Sequence, residues 1–206
     1  NWQEHLNKTN QHIDKLDVPL LRTEMNQILE QVQALKTPYA LNGFINGKTV
    51  AIKRENKASR HFGKEVSLDI FDREEISAGK SRYQIAQQPQ FTPRSDLYSK
   101  QRGDLMLLIN GMPMFHIELK RSGVPISQAT YQIERYHKAG AFSGIFSLVQ
   151  VFVAMTPEEC RYFANTGGQL NPAFYFRWAD FNNVYMNDWD KVATHFLSIP
   201  MAHQFI

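Results

Sequence analysis

The stretch from Gly103 to Lys120 most constrains how this chain can fold. It consists of two nearly continuous apolar runs joined by Asn110-Gly111, the dipeptide with the strongest short-range signal for a β-hairpin. Because successive positions are apolar, both faces of each strand are predicted to be buried. The stretch therefore predicts two central strands of a sheet.

Charged residues mark the ends of these two strands. Asp104 opens the first run, and Glu118 and Lys120 close the second. Charges beside a buried hairpin are costly unless they are paired or bind an ion. Two carboxylates brought together can hold Mg²⁺, and a neighbouring lysine can orient a water and stabilise developing negative charge. This combination indicates metal-assisted hydrolysis of a phosphodiester.

The spacing leaves a simpler interpretation open, in which Lys120 forms a structural ion pair with one acid at the strand end. The chain contains a second acid-x-Lys pattern, Glu55-x-Lys57, in a polar stretch where it carries little meaning. Glu118-x-Lys120 differs from it in lying on an apolar strand whose hairpin partner carries Asp104.

The register of the hairpin tests the metal site. If Asn110-Gly111 is a plain two-residue turn, Gly103 opposes Glu118, and Asp104 and Glu118 face opposite sides of the sheet. A shared metal therefore requires a three-residue loop with Gly111 in a bulge, or a bend near Asp104. We predict such an irregularity.

The remaining patterns predict a mixed α/β class. We expect helix from residue 1 to about 36, short strands and turns from 41 to 70, a strand at 83–87, a helix at 126–138 and a strand at 146–155. Thr156-Pro157-Glu158-Glu159 predicts the start of a helix that carries Cys160, and a short helix is expected near 188–197. Because the segment from 115 to 155 is long enough for a crossover, we predict a mixed central β-sheet flanked by helices.

Length and composition favour a single domain that spans residues 1–206. We expect its core at about 66–166, a helical part at 1–40 and a tail at 167–206. A net charge of +3 permits a nucleic-acid partner without arguing for one. The single cysteine excludes an internal disulfide and is typical of a reducing cytoplasm. No apolar run is long enough to predict a membrane span.

Two further groups of residues are candidates for DNA contact. One is a basic segment with a single acid, Glu55, which reads equally as a solvated loop or as a phosphate-binding patch, and it contains Lys48, Lys53, Arg54, Lys57, Arg60 and Lys64. The other is one face of the helix after the hairpin, with Gln132 and Tyr136 four residues apart, which an exposed polar face would also explain.

A family resemblance is carried by the hairpin and this helix. The segment NGMPMFHIELK at 110–120, with VPISQA at 124–129, QIERY at 132–136 and RYFANT at 161–166, resembles the amino-terminal nuclease domain of type I restriction enzyme motor subunits. The resemblance is good over about 82–166 and loose before it. It implies the PD-(D/E)xK nuclease superfamily, a mixed sheet flanked by helices, and Mg²⁺-dependent cleavage of duplex DNA, as in a type I site-specific deoxyribonuclease.

The resemblance also implies roles for individual residues. Asp104 and Glu118 would be metal ligands, helped by the carbonyl of Leu119, and Lys120 would be the catalytic lysine. Gln132 and Tyr136 would form a glutamine–tyrosine motif that supports the site and its DNA. Gly103 stands where the superfamily name has proline. An upstream acidic ligand is not assignable, and Glu24 and Glu30 are candidates by helical pattern alone.

The partners implied are duplex DNA, methylation and specificity subunits, and a helicase region of the same parent chain beyond Ile206. We expect the chain to be part of a longer protein, in which that missing motor uses ATP, since no Gly-x-x-x-x-Gly-Lys-Ser/Thr loop is present. DNA would be cleaved without base reading by this domain, in the cytoplasm.

Two alternatives remain open: a nuclease of DNA repair or junction resolution, and a DNA-binding or docking module whose catalytic centre has decayed. Four other residues are interpreted as packing residues, namely His116, Cys160, Trp178 and Trp189.

Overall fold

The computed structural model describes residues 1–12, 15–35, 37–45, 49–70, 79, 81–91 and 100–205. The described helices are α1 (Trp2–His12), α2 (Arg22–Gln33), α3 (Pro38–Ile45), α4 (Ser127–Lys138), α5 (Trp189–His195) and α6 (Ile199–Gln204). The described strands are β1 (Thr49–Lys53), β2 (Glu65–Asp69), β3 (Tyr83–Gln87), β4 (Gln90–Phe91), β5 (Gln101–Arg102), β6 (Leu105–Ile109), β7 (Met112–Leu119), β8 (Val151–Met155) and β9 (Cys160–Ala164). This mixed α/β class confirms the sequence prediction.

The main sheet has five strands in the order β3-β6-β7-β8-β9. β7 and β8 run parallel, and β8 and β9 run antiparallel. The parallel pair is connected through α4, as a crossover requires. Within β7 only Leu119 is exposed, and all of β8 is buried. The long apolar runs are therefore explained by burial on both faces of a central sheet.

The hairpin turn differs from the three-residue loop that the metal hypothesis favoured. β6 ends at Ile109 and β7 begins at Met112, and both turn residues have positive φ, 52° at Asn110 and 80° at Gly111. These values define a two-residue type I′ turn, which matches the twist of the flanking strands. Of the two irregularities that we considered, the bulged loop is not formed, because Asn-Gly fits the shorter turn without strain.

The alternative irregularity, a bend at Asp104, is present. The backbone there pairs with the segment that follows β3, through hydrogen bonds from Gln88 N–H to the Asp104 carbonyl (2.8 Å) and from Gly103 N–H to the Pro89 carbonyl (3.0 Å). The Asp104 side chain turns instead towards the end of β7. The irregularity thus lies at the strand end and not at the turn.

The core of the main sheet is aromatic and lies under α4. Ala129, Ile133 and Tyr136 of α4 pack in one buried cluster with Phe152 and Phe163 of the sheet. The helix ends at Lys138 and is followed by Gly140 with φ 73°, a conformation that glycine adopts without cost. This helix begins within one residue of its predicted start, which fixes the Gln132 and Tyr136 face against the sheet.

The chain divides into two compact units, residues 1–84 with 109–112, and residues 85–108 with 113–206. The first unit contains the antiparallel β1–β2 hairpin, which packs against α1 and α2. At its centre lies an ion pair between Arg54 Nη1 and Glu24 Oε2 at 2.7 Å, with both side chains fully buried. Glu24 also accepts from the N–H groups of Leu21, Glu55 and Asn56, so one carboxylate joins α2 to the hairpin loop.

Two local predictions were wrong, and a third was confirmed only in part. In place of one helix from residue 1 to about 36 there are two, α1 and α2, with Pro19 outside both. Short strands were expected from 41 to 70, and β1 and β2 lie there, but α3 occupies the first part of that segment. Thr156 does accept from the N–H groups of Glu158 and Glu159, as a helix cap would. The chain nevertheless turns back into β9, because Cys160 pairs with Met155 across an antiparallel ladder.

Aromatic residues near the carboxyl end pack on one another. The ring of Trp178 lies 4.8 Å from that of Phe196, which in turn lies 4.7 Å from Tyr162 on β9. Trp178 is therefore a packing residue as predicted, whereas Trp189 is 57% exposed. In the described part of the chain, no helix has both the length and the apolar character to cross a bilayer.

The buried ion pair generates the first prediction. Replacing Glu24 with Gln leaves Arg54 charged and buried without a counter-charge, which costs about 3–5 kcal/mol in the free energy of unfolding. Urea denaturation followed by circular dichroism measures this loss. Glu30→Gln, on the exposed face of the same helix, is the matched control and should change stability by less than about 0.5 kcal/mol. Equal effects of the two substitutions would contradict a structural role for the pair.

Candidate active site

Asp104 is held at the end of the central strand by a main-chain group. Its Oδ2 atom accepts a hydrogen bond from the N–H of Leu119 at 2.8 Å. The next N–H, that of Lys120, points to β8 and bonds to the Met155 carbonyl at 2.9 Å. Because successive amides of a strand point to opposite sides, the Leu119 amide faces the β6 side, where the carboxylate receives it. The Asp104 carboxylate therefore lies at the sheet end beside Leu119.

Glu118 and Lys120 form a contact on the same strand. The Glu118 side chain is fully buried, and its Oε1 atom lies 3.1 Å from Lys120 Nζ. Lys120 also donates to the Leu119 carbonyl at 3.1 Å and keeps 20% of its side chain exposed. The structural ion pair that the sequence left open is thus formed. It does not use Glu118 Oε2, which is buried and has no hydrogen-bond partner among the described residues.

Gln132 and Tyr136 form a hydrogen-bond chain that ends on the backbone just before Asp104. Gln132 Nε2 donates to the Tyr136 hydroxyl, which donates to the Arg102 carbonyl at 2.7 Å. Tyr136 is 3% exposed, so it supports the site from within and does not present its ring to a ligand. In this structure the Tyr136 hydroxyl is occupied inside the protein, so its contact with DNA stays a prediction that the geometry does not support.

Both carboxylates affect the pKa of the Tyr136 phenol. Burial raises the pKa of Tyr136, and the negative charges of Glu118 and Asp104 raise it further, while the Gln132 hydrogen bond opposes the shift. A phenol with a raised pKa stays protonated and keeps its hydrogen-bond donor. The Tyr136–Arg102 bond is therefore stable across the neutral pH range, and both carboxylates lie within electrostatic reach of one ring.

His116 is a buried neighbour of Glu118. Its Nε2 atom lies 3.5 Å from Glu118 Oε2, and its ring packs against Phe91, Phe142 and Tyr136. The predicted packing role is confirmed. The i, i+2 spacing on a strand had placed both side chains on one face and left open that His116 lines the site.

Burial separates Arg54 from the other cations of the basic segment. Arg54 is 1% exposed and paired with Glu24, so its guanidinium is not presented to a DNA phosphate in this structure. Lys53 and Lys57 are exposed on the β1–β2 hairpin, as are Arg60 and Lys64. Lys48 lies outside the described residues. The exposed cations remain candidates for phosphate contact.

Neither candidate for an upstream acidic ligand gains support. Glu24 uses both of its oxygens inside the first unit, and Glu30 is exposed on α2. Across the residues that the structure describes, no group of three or more His, Cys, Asp or Glu side chains is arranged to hold a metal. Two carboxylates, Asp104 and Glu118, are what the described side chains offer near Leu119.

Cys160 does not serve as a nucleophile. It lies on β9 and not on the predicted helix, and it is 1% exposed. Burial raises the pKa of its thiol to about 12, so the reactive thiolate is absent at neutral pH.

Comparisons with known proteins identify the family of the chain. The family model described as the type I restriction enzyme R protein N terminus matches residues 1–171. The chain is 30% identical over 198 residues to the endonuclease subunit of the type I restriction enzyme SauMSSORF170P from Staphylococcus aureus strain MSSA476, covering 96% of this chain and 20% of that protein. The same values describe its match to the endonuclease subunit of SsaAORF53P from Staphylococcus saprophyticus.

A shorter match links the chain to the endonuclease subunit of EcoprrI from Escherichia coli, at 40% identity over 100 residues, which is 46% of this chain and 32% of that protein. The chain spans about a fifth of the length of its Staphylococcus relatives. With a family model covering most of its residues, the chain belongs to the family of type I restriction enzyme R protein N-terminal regions.

Proposed function

We propose that this chain is the Mg²⁺-dependent nuclease part of a type I restriction enzyme, of the PD-(D/E)xK superfamily, and that it hydrolyses phosphodiester bonds of duplex DNA without reading bases. The observation that carries the proposal is the meeting of Asp104, Glu118 and Lys120 around Leu119 at the end of a buried strand. A purely structural ion pair would need neither Asp104 there nor a second, unpartnered oxygen on Glu118.

The donor set around Leu119 fits Mg²⁺. The buried Glu118 Oε2 has no hydrogen-bond partner among the described residues, Asp104 has one oxygen outside its bond to the Leu119 amide, and the Leu119 carbonyl adds a main-chain oxygen. Magnesium prefers oxygen ligands and commonly takes only one or two carboxylates, with water and substrate phosphate completing its shell. When bound, it would polarise the scissile phosphate and acidify a water.

Lys120 would act on the reacting water and phosphate. Its ammonium is partly exposed and is anchored by Glu118 and the Leu119 carbonyl, each at 3.1 Å. A fixed cation orients the attacking water and stabilises the negative charge that develops on phosphorus oxygens. Because the same ammonium contacts Glu118, it also helps to hold that carboxylate in place.

Gln132 and Tyr136 would hold the strand end that carries Asp104. Their hydrogen-bond chain ends on the Arg102 carbonyl, two residues before that carboxylate. Gln132 is half-buried, so a contact of its amide with DNA stays part of the proposal, whereas Tyr136 supports from inside.

DNA phosphates would be held by exposed cations of the β1–β2 hairpin. Lys53 and Lys57 lie on it, and Arg54 is excluded by its burial. The loop that carries Lys57 is held in shape by Asp17, which accepts from the Ser59 hydroxyl at 2.7 Å and from the Arg60 N–H at 2.6 Å. A preformed basic loop loses little entropy on meeting a phosphate backbone.

The partners follow from the family and are part of the proposal. The relatives are named endonuclease subunits of type I restriction enzymes. By that likeness, methylation and specificity subunits would choose the DNA, and a helicase region of the same parent chain would use ATP, in the cytoplasm. This chain would supply cleavage.

Removing the proposed catalytic groups tests the function. Lys120→Ala and Asp104→Ala, made in the full-length protein that carries this chain, should each slow cleavage of supercoiled plasmid by at least about 10²-fold, since the first removes a cation that stabilises the transition state and the second removes a proposed ligand of the metal. DNA binding and ATP hydrolysis should persist. Lys138→Ala, an exposed lysine at the end of α4, is the control. Wild-type cleavage by both variants would refute the assignment and favour a binding module.

Breaking the hydrogen-bond chain from Gln132 through Tyr136 to the Arg102 carbonyl should impair cleavage less strongly. Tyr136→Phe leaves the Arg102 carbonyl without its donor, a loss of about 1–3 kcal/mol that should lower the cleavage rate about 5–150-fold while DNA binding is kept. Tyr131→Phe, 64% exposed on the same helix, is the matched control. An unchanged rate for Tyr136→Phe would show that the Asp104 segment is positioned without this chain.

The salt dependence of DNA affinity tests the proposed phosphate contacts. Lys57→Ala should weaken binding of the full-length protein to DNA of any sequence and reduce the slope of log affinity against log salt by about 1. Lys8→Ala, an exposed lysine on α1 outside the hairpin, should leave the slope unchanged. A slope that Lys57→Ala does not alter would remove this residue from the DNA surface.

A further inference from the structure

An unusual set of buried polar atoms lies next to the proposed ligand Glu118. Both ring nitrogens of His116 and the Oε2 atom of Glu118 have no hydrogen-bond partner among the residues that the structure describes. Both side chains are fully buried, and His116 Nε2 is 3.5 Å from Glu118 Oε2. Buried polar groups without partners are rare and costly, so a cluster of three calls for a functional reason.

Packing holds the imidazole ring in one orientation. Its centroid lies 5.3 Å from Phe142, 5.6 Å from Phe91 and 6.0 Å from Tyr136, in edge-on geometry. Rings packed from several sides cannot change rotamer without disturbing the core. The position of Nε2 relative to Glu118 is therefore set by the aromatic core.

The same ring controls the approach of the strand that carries Asp104. A Cβ atom built on Gly103 would lie 2.5 Å from His116 Cε1 and 3.1 Å from Phe91 Cε2. Real Cβ atoms essentially never lie within 3 Å of another heavy atom in this way, and both obstacles are rings fixed by packing. The imidazole occupies the space that any side chain at position 103 needs, which explains why glycine precedes Asp104 in this chain.

We propose that His116 is a positioning residue of the nuclease centre. It holds the Glu118 carboxylate against Lys120 by directing Nε2 at Oε2, and its ring lies against the Gly103 backbone and so sets how closely the strand that carries Asp104 approaches. Outer-shell partners of this kind orient the groups that bind metal and substrate. The inference rests on the proposed function, in which Glu118 is a metal ligand.

The decisive variant removes the nitrogens and keeps the ring. In the full-length protein, His116→Phe should lower plasmid cleavage about 10–100-fold and raise the dissociation constant for Ca²⁺, a non-cleaving probe measured by calorimetry, by a similar factor. The thermal midpoint should stay the same or rise, because unpaired buried nitrogens are replaced by carbon. His116→Gln, which keeps an N–H near the position of Nε2, should restore part of both.

Matched controls separate positioning from packing. His137→Phe, on a histidine that packs against Phe142 at 6.3 Å, should cleave at the wild-type rate. The inference is overturned if His116→Phe keeps wild-type cleavage and Ca²⁺ affinity, or if Phe and Gln variants are equally impaired with a lowered thermal midpoint. Wild-type cleavage by Glu118→Ala would instead defeat the proposed function itself.

The steric part is tested by a double-mutant cycle. Gly103→Ala should impair cleavage in the wild-type protein and cost less in a His116→Ala background, where the obstructing ring is gone. Independent, additive effects of the two substitutions would show that His116 does not set the approach of this strand.

Discussion

The structure depends on the hydrogen bond between the Asp104 carboxylate and the Leu119 amide. β7 is the central strand, paired with β6 on one side and β8 on the other. At its end the Lys120 amide is satisfied by β8, whereas the Leu119 amide is satisfied by a side chain. This hydrogen bond holds the carboxylate at the strand end, where Glu118 and Lys120 also lie.

The crossover between the parallel strands supplies the second support. β7 and β8 can be parallel only if the chain returns across the sheet, and α4 makes that return. Packing of α4 on the core places Tyr136 against the Arg102 carbonyl, and burial keeps its phenol protonated. The helix that connects the parallel strands therefore also holds the segment before Asp104 through Tyr136.

In the first unit, not every residue of the basic segment lies on the surface. Arg54 belongs to a run of basic residues, yet it is the counter-ion of Glu24 inside the unit. The carboxylate that was a candidate metal ligand is instead a junction between α2 and the β1–β2 loop. Charge counting could not separate Arg54 from Lys53, because alternation along a strand decides which side chain enters the core.

The sequence by itself determined the central strands, the crossover helix and the grouping of Asp104, Glu118 and Lys120, because apolar runs and an Asn-Gly turn act locally. Asn110-Gly111 also favoured the two-residue turn that the structure contains, against the longer loop that a shared metal would have allowed. Only the tertiary structure decided that the bend lies at Asp104, that Arg54 is buried and that His116 fills the space beside Gly103. These outcomes depend on which distant groups compete for the same volume and the same hydrogen bonds, and no local pattern records that competition.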